Sequence, residues 1–268
     1  MLIQINDLHF TYPSGVKALD GISLTIQPGE RVALVGENGS GKTTLARHLN
    51  GLLRPQAGSV QVGDWQTTEH SPAQIAHRVA YVFQNPDEQL FRQRVWDEVA
   101  FGPQNLGYPP GQVQLMVDQS LELLGLSDFS QLNPRDLGYS GRKQVALASA
   151  LAMQTPILVF DEPTASLDAR EQEQFEQVLA LLHRQGKTII LISHDMDFVA
   201  ENMERFVLLH QGRVALDVPA QHFFEQKELL ATSSMVAPQI TRLGQQLKHC
   251  RLALSVEQFI NDRCQMNK

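Results

Sequence analysis

One short segment limits the possible folds of this chain more than any other, because it fits the pattern G-x-x-x-x-G-K-[ST] of a phosphate-binding loop. The segment consists of Gly36, Glu37, Asn38, Gly39, Ser40, Gly41, Lys42, Thr43 and Thr44. The apolar run Arg31–Val35 comes directly before it and predicts a buried strand. Leu45 and Leu49 share one helical face and predict a helix over residues 43–51. A strand, a glycine-rich loop and a helix in this order predict an α/β fold built around this loop.

The residues of the loop also predict its chemistry. Its glycines allow backbone N–H groups to converge on phosphate oxygens, and the start of the following helix adds a positive dipole end. We expect the Lys42 ammonium to reach the β- and γ-phosphates of a nucleotide and the Thr43 hydroxyl to bind Mg²⁺. The loop therefore predicts a bound nucleoside triphosphate with its magnesium ion.

Composition excludes several kinds of protein. The 268 residues suffice for one large domain or for a domain with an appendage. The longest apolar runs, such as residues 189–192, are far too short to span a bilayer, and the N-terminus lacks the pattern of a signal peptide, so we expect a cytoplasmic location. A net charge of −7 argues against nucleic acid as a partner. Cys250 and Cys264 match no metal-site spacing and are expected to be reduced thiols.

Alternating patterns on both sides of the loop predict further strands. Residues 2–10 alternate partly, and residues 22–27 strictly, between apolar and polar side chains. Both segments predict half-buried strands, the second antiparallel or at an edge. The turn between them carries Tyr12, whose ring could stack on a nucleotide base. Residues 79–83 predict a buried strand that ends at Gln84, a side chain suited to contact a metal-bound water.

Helical patterns predict an insertion in this α/β domain and an extension after it. Residues 94–107, 112–126 and 141–153 have helical spacing, so the block over about 85–153 is expected to be a helical subdomain. From about residue 223 the pattern changes to short helical segments. We therefore predict a core domain at 1–222 and a small helical extension at 223–268.

Two further strands are expected to end in chemically active side chains. Residues 157–160 are apolar and run into Asp161 and Glu162, which places both acids at the carboxyl edge of a parallel sheet, where ligands of such sheets bind. Asp161 is suited to hold Mg²⁺, and Glu162 is suited to act as general base on the attacking water. The strand at Thr188–Ile192 leads to His194, whose imidazole is expected to contact the γ-phosphate.

Over roughly residues 1–220 the chain resembles the nucleotide-binding subunits of ABC transporters. The resemblance rests on the aromatic loop at Tyr12, the phosphate-binding loop, the Gln84 loop, the acids at 161–162, the segment 166–168 with Asp168, and the switch histidine His194. It implies a P-loop NTPase core of the ABC ATPase type with an antiparallel β subdomain and a helical insertion. It also implies that two such subunits enclose two ATP molecules, and that each site pairs one P-loop with the signature sequence of the other subunit.

The signature sequence is where this chain departs from that family. The family pattern is Leu-Ser-Gly-Gly-Gln, whereas residues 137–141 read Leu-Gly-Tyr-Ser-Gly. An ungapped register keeps the spacing to Asp161, and the alternative register would need a two-residue deletion that shortens the following helix. In the ungapped register the amides of Gly138, Ser140 and Gly141 are expected to face the γ-phosphate bound by the partner subunit, with the Ser140 hydroxyl supplied from a shifted position.

A narrower resemblance is to the ATPase subunits of energy-coupling factor (ECF) transporters, which import vitamins and transition-metal ions. It rests on residues 82–91, 99–107, 133–137 and 142–149. The resemblance implies three kinds of partner: a second ABC ATPase subunit, a transmembrane coupling subunit and a substrate-binding membrane subunit. It therefore implies a peripheral position on the cytoplasmic face of the cell membrane. Residues 85–91 would help to form the groove that grips the coupling subunit, although a plain surface loop is also compatible with their pattern.

Other P-loop functions agree less well with these residues. A P-loop GTPase or kinase is disfavoured, because the chain has no Asn-Lys-x-Asp guanine reader and would not need Glu162 together with His194. A soluble ABC ATPase of DNA repair or translation, or the ATPase of an ordinary ABC importer, stays as an alternative. The altered signature is compatible with a homodimer and with a heterodimer of unequal sites, and no residue here identifies the transported substrate.

Overall fold

Strands and helices alternate along most of the chain, of which the computed structural model describes residues 1–233, 235–247 and 252–266. The described strands are β1 (Ile3–Thr11), β2 (Lys17–Ile26), β3 (Arg31–Val35), β4 (Ala57–Val62), β5 (Trp65–Gln66), β6 (Val79–Val82), β7 (Ile157–Asp161), β8 (Thr188–Ile192), β9 (Arg205–His210) and β10 (Arg213–Pro219). The described α-helices are α1 (Lys42–Leu49), α2 (Pro72–Ile75), α3 (Val95–Asn105), α4 (Pro110–Leu123), α5 (Tyr139–Ala152), α6 (Ala169–Arg184), α7 (Met196–Asn202), α8 (Ala220–Phe223), α9 (Lys227–Thr232), α10 (Gln239–Gln246) and α11 (Val256–Met266). Short 3₁₀ turns lie at Pro86–Glu88, Ser127–Phe129 and Pro134–Asp136.

A six-stranded sheet with the order β10-β9-β3-β8-β7-β6 forms the centre of the structure. Strands β9, β3, β8, β7 and β6 run parallel to one another, and β10 pairs with β9 in the antiparallel sense. Strands β7 and β8 are buried along their whole length, as expected for parallel strands covered on both faces. Their carboxyl ends and that of β3 meet at one edge of the sheet, and the loops that follow carry most of the predicted site.

A four-stranded antiparallel sheet with the order β2-β1-β4-β5 packs against one face of the central sheet. This arrangement confirms the predicted antiparallel β subdomain, although β2 begins at Lys17, before the strand predicted at 22–27. Residues 17–21 were not predicted as part of this strand, because their pairing with β1 is irregular and apolar and polar side chains do not alternate strictly there.

The central sheet separates two apolar cores. In β3, Val32 and Leu34 belong to the core shared with α1 and the antiparallel sheet, whereas Ala33 and Val35 belong to the core under the helical insertion and α6. This alternation follows from the two-residue period of a strand. Both faces of the sheet are therefore covered, and its carboxyl edge is left open for a ligand.

Helices α3, α4 and α5 form the predicted helical insertion, and two asparagines shape the turns that connect it. Asn85 and Asn133 each precede a proline and cap a 3₁₀ turn. The Oδ1 atom of Asn85 accepts the N–H of Asp87 at 3.1 Å, and that of Asn133 accepts the N–H of Arg135 at 2.9 Å. Such Asx turns fix the chain where it leaves the sheet and where it approaches α5.

Helix α5 begins at Tyr139, earlier than the predicted start at residue 141. The reason is local: the N–H of Arg142 donates to the carbonyl of Gly138 at 3.0 Å and closes the first turn there. Residues 139–141 therefore form the first turn of α5, and Gly138 precedes it as the N-cap. The ungapped register of the signature stays a prediction.

The chain after β10 folds into short helices, which confirms the small helical extension. Helix α10 buries Thr241 and Gly244, whereas Leu243 and Leu247 are exposed. The predicted boundary between residues 222 and 223 falls inside α8, and the division into domains at 1–222 and 223–268 stays a prediction.

Cys250 lies outside the described residues, and so does the side chain of Cys264. Across residues 1–233, 235–247 and 252–266, no helix combines the length and the apolar character needed to cross a bilayer.

Candidate functional site

A cavity of about 310 Å³ lies at the carboxyl edge of the central sheet. It brings together residues that are far apart in sequence, namely Tyr12, Asn38, Gly39, Gly41, Lys42, Thr43, Thr44, Gln84, Asp161, Glu162 and His194. Gly36 and Glu37 line a neighbouring cavity that shares Asn38 and His194 with the first. Gly138, Ser140, Gly141 and Asp168 lie outside this cavity. One chain thus assembles most, but not all, of the predicted site.

The loop between β3 and α1 has a backbone that only glycine permits at two positions. Gly36 has φ 142° and Gly41 has φ 108°, both in the left-handed region. A Cβ atom on Gly36 would lie 2.2 Å from the carbonyl oxygen of Leu209, and one on Gly41 would lie 2.7 Å from that of Ala18. Helix α1 has no side-chain cap, so its first N–H groups are available to an anion. The loop therefore fits a phosphate.

Lys42 places its ammonium group at the centre of this loop. Its Nζ atom donates hydrogen bonds to the carbonyls of Gly36 at 2.8 Å and Glu37 at 2.9 Å. Burial lowers the pKa of Lys42, and the charges of Glu162 and Asp161 oppose that shift. The Lys42 ammonium group therefore lies near the carboxylates of Glu162 and Asp161. A bound triphosphate would place further negative charge beside this cation and form charge-assisted hydrogen bonds with it.

Asp161 at the end of β7 offers one carboxylate oxygen to a metal ion. Its Oδ2 atom accepts a hydrogen bond from the Tyr81 hydroxyl at 2.8 Å, whereas Oδ1 is buried without a hydrogen-bond partner among the described residues. A buried carboxylate oxygen left unpaired is costly, and a cation would satisfy it. Thr43 and Gln84 line the same cavity and add oxygen atoms, so the donor set fits the all-oxygen preference of Mg²⁺.

Sequence reasoning missed Tyr81. The signal was a hydroxyl group in the otherwise apolar, fully buried strand β6, because such a group needs a partner. Burial and the neighbouring Asp161 charge raise the pKa of Tyr81, so it acts as a hydrogen-bond donor at neutral pH. The hydroxyl thereby fixes the orientation of the Asp161 carboxylate.

Replacing Tyr81 by phenylalanine should weaken magnesium binding without changing the fold. The loss of the single hydroxyl frees the Asp161 carboxylate to rotate, and such supporting contacts typically change metal affinity by about 10-fold or more. Nucleotide binding measured over a range of Mg²⁺ concentrations should therefore need about 10-fold more Mg²⁺ for its half-maximal value. Tyr108→Phe, at a tyrosine beyond the end of α3, should leave that value unchanged, and an unchanged value for Tyr81→Phe would contradict the assigned orientation.

Glu162 occupies a strained backbone position beside His194. Its φ of 49° is left-handed, and its side chain is largely buried. The Oε1 atom lies 3.3 Å from the His194 Nε2 atom, and the His194 backbone N–H donates to Oε2 at 3.4 Å. Burial raises the pKa of Glu162 to about 7, with a smaller contribution from the Asp161 charge. A carboxyl group with a pKa near neutrality is suited to accept a proton from water.

Tyr12 and Gln84 both line the cavity. The Tyr12 hydroxyl and Thr44 Oγ1 are 3.0 Å apart, and the Tyr12 ring packs edge-on against Phe10. The backbone carbonyl of Gln84 accepts a hydrogen bond from the Tyr139 hydroxyl at 3.4 Å. The backbone of Gln84 therefore contacts the helical insertion. The contact of its side chain with a metal-bound water and the stacking of Tyr12 on a base stay predictions.

The start of α5 lies outside the cavity of its own chain. Gly138 caps α5 without a side-chain hydrogen bond, so the N–H groups of its first turn are available to an outside anion. The Ser140 hydroxyl donates to Glu171 on α6, and the Glu171 N–H in turn donates to the Asp168 carboxylate at 2.9 Å. The hydroxyl hydrogen of Ser140 is thus engaged within the chain, and its predicted contact with a phosphate stays a prediction.

Comparisons with known proteins agree with this arrangement. The family model described as ABC transporter matches residues 19–165. The energy-coupling factor transporter ATP-binding protein EcfA of Methanothermobacter thermautotrophicus is 37% identical over 264 residues, which cover 97% of this chain and 85% of that protein.

Two solved structures share the fold. The structure of cbiO1 from Clostridium perfringens, described as part of the ABC transporter complex cbiONQ, has a TM-score of 0.75 and 30% identity and covers 92% of this chain and 98% of its own. The dimeric, post-hydrolysis structure of the ATP-binding cassette MJ0796, bound to ADP and Pi, has a TM-score of 0.74 and 25% identity and covers 81% of this chain and 98% of its own. With its loop, its paired acids and these similarities, the chain belongs to the ABC transporter family of ATP-binding proteins.

Proposed function

We propose that this chain is the ATP-binding subunit of an ECF-type ABC importer, in which ATP binding and hydrolysis drive uptake of a vitamin or a transition-metal ion. The observation that carries this proposal is the single cavity that contains Lys42, Gln84, Asp161, Glu162 and His194. The similarity to EcfA and to cbiO1 supports the ECF type.

The hydrolytic step follows from the side chains of the cavity. The α1 amides and Lys42 would bind the phosphates, and Glu162 would accept a proton from the water that attacks the γ-phosphate. His194, which lies 3.3 Å from Glu162, would donate a hydrogen bond and hold that carboxylate in place. Thr43, Gln84 and Asp161 would hold Mg²⁺, which offsets the negative charge that develops on the phosphates.

A second ATPase subunit would complete the site. Four predicted site residues lie outside the cavity of their own chain, namely Gly138, Ser140, Gly141 and Asp168. Within one chain, the cavity therefore has no signature sequence on the side where the γ-phosphate would lie. In a dimer, the free amides at the start of α5 would face the ATP bound by the partner. The dimeric structure with ADP and Pi supports this arrangement. Both a homodimer and a heterodimer satisfy it.

A surface of the helical insertion would bind the transmembrane coupling subunit, and through it the substrate-binding membrane subunit. The side chain of Phe91 is 57% exposed and packs edge-on against Phe101, with the rings 4.8 Å apart. The buried Glu98 carboxylate accepts the N–H groups of Phe91 at 2.8 Å and Arg92 at 2.6 Å, which fixes this exposed turn. Aromatic side chains, including Phe, are enriched in the cores of protein–protein interfaces. This contact would hold the chain on the cytoplasmic face of the membrane.

Replacing Phe91 by aspartate should remove the membrane partner but keep nucleotide binding. A charge in the centre of an apolar contact typically costs more than about 2 kcal/mol, or roughly a 30-fold loss of affinity. The measurement is co-purification of membrane proteins with the tagged full chain from detergent-solubilised membranes. Phe129→Asp, at another exposed aromatic of the insertion, is the matched control. Equal recovery of membrane proteins with both variants would contradict the assigned surface.

A further inference from the structure

Lys143 on α5 is a fully buried lysine to which the hydrolytic scheme assigns no role. Its relative exposure is 0%, which places it among the largest fully buried side chains of the described residues. Its Nζ atom donates hydrogen bonds to the backbone carbonyls of Glu162 and Ala165, the second at 2.8 Å. The Lys143 side chain therefore reaches from α5 to the loop that follows β7.

Burial of this ammonium group is unfavourable and calls for a structural or functional gain. Desolvation lowers the pKa of Lys143 to about 8, while the charges of Glu162 and Asp161 act in the opposite direction. Both hydrogen-bond acceptors are neutral carbonyls. A buried charge is costly unless it is hydrogen-bonded, and in some proteins such a group is retained because its hydrogen bonds specify one conformation.

The loop that Lys143 holds is strained. Glu162 has φ 49° and Ser166 has φ 72°, which are left-handed values at residues that carry a Cβ atom. The two carbonyls bound by Lys143 belong to Glu162 itself and to Ala165, the residue before Ser166. The ammonium group thus stabilises the backbone at both ends of the strained segment.

We propose that Lys143 is a positioning residue, which holds the backbone of residues 162–165 so that the Glu162 carboxylate stays directed at His194 in the cavity. The geometry favours this role over simple packing, because the Glu162 side chain is oriented by its own left-handed backbone and makes its contacts at 3.3 and 3.4 Å with His194. Only the effect on catalysis depends on the proposed function. The effect on the backbone does not depend on it.

Lys143→Met tests the backbone effect, since methionine fills a similar volume but cannot donate to the carbonyls. Hydrogen exchange on the full chain should become at least about 10-fold faster in the segment 162–168, in which every residue except Pro163 carries an exchangeable amide. Exchange in β3 and the glycine loop should stay within about twofold. The matched control is Lys187→Met. Lys187 is a partly buried lysine that also donates to a backbone carbonyl, that of Gln154 at 2.6 Å, but it lies outside the cavity. This control should leave exchange at 162–168 unchanged.

Two further variants keep the test decisive. Lys143→Arg retains the charge and the donors and should restore exchange at 162–168 to within about threefold of wild type. Lys143→Gln retains one donor group and should give an intermediate value. Unchanged exchange at 162–168 in Lys143→Gln and Lys143→Met, or an equal rise in all segments, would overturn the proposal. If Lys143→Met does not fold, Lys143→Gln and Lys143→Arg decide the question alone.

The catalytic consequence is measured separately in the assembled complex. Lys143→Met should lower kcat for ATP hydrolysis by about 10-fold or more with KM within about threefold, because the phosphate-binding loop is untouched. Combined with Glu162→Gln it should cause no further loss, since it acts through Glu162. A wild-type complex without ATPase activity would refute the proposed function, while the exchange result would still decide the role of Lys143.

Discussion

Glu162→Gln should nearly abolish ATP hydrolysis and leave ATP binding intact. The amide has the size of the carboxyl group but cannot take a proton from water, and loss of a general base typically lowers the rate by about 10²- to 10⁴-fold. The Glu162 position, beside His194 and outside the phosphate-binding loop, explains why nucleotide affinity should change by less than about threefold. The measurement is ATP turnover of the assembled complex together with a nucleotide-binding titration. Because bound ATP is not consumed, the variant should also accumulate as a closed dimer, which size-exclusion chromatography with ATP would show.

A matched control separates this effect from a general loss of carboxyl groups. Glu176 on α6 is another partly buried glutamate whose pKa is raised by burial, and it lies outside the cavity. Glu176→Gln should hydrolyse ATP at the wild-type rate. If Glu162→Gln did so as well, its role as the base would be refuted.

Lys42→Ala should weaken ATP binding strongly. The ammonium group lies at the centre of the loop, and hydrogen bonds to a charged group typically contribute about 1.5–3 kcal/mol, which corresponds to roughly a 10- to 100-fold loss of affinity. The measurement is a titration with ATP and Mg²⁺ on the purified chain. The loss of two hydrogen bonds inside the loop could also loosen it, so a thermal melt should accompany the titration.

Lys187→Ala provides the control for this variant. Lys187 also donates to a backbone carbonyl, but it lies far from the cavity at the opposite edge of the sheet, just before β8. Its ATP affinity should equal that of the wild type. Unchanged affinity in Lys42→Ala would contradict the assignment of the loop as the phosphate site.

Local sequence patterns predicted the elements that carry the site, because each depends on residues close together in the chain. The loop at 36–44 was expected between a strand and a helix, and β3 and α1 lie there within one or two residues of the expected bounds. Asp161 and His194 were expected at the ends of parallel strands, and the structure places them there. The motif of the loop and the apolar pattern of the strands are sufficient to predict these positions. A parallel sheet then brings the carboxyl ends of its strands together at one edge.

The supporting contacts could not be predicted in the same way. Tyr81 bonds to a residue 80 positions away, and Lys143 to residues 19 and 22 positions away, so no local pattern pairs them. A buried tyrosine or lysine indicates only that a partner exists.

The central claim is that this chain hydrolyses ATP as one subunit of a membrane importer. The most direct test is to purify the tagged full chain from detergent-solubilised membranes and to identify the proteins that accompany it by mass spectrometry. We expect a transmembrane coupling subunit, a substrate-binding membrane subunit and a second ABC ATPase subunit, which is either another copy of this chain or a homologue. We also expect the complex to hydrolyse ATP. Recovery with ribosomes or DNA in place of membrane proteins would contradict this account.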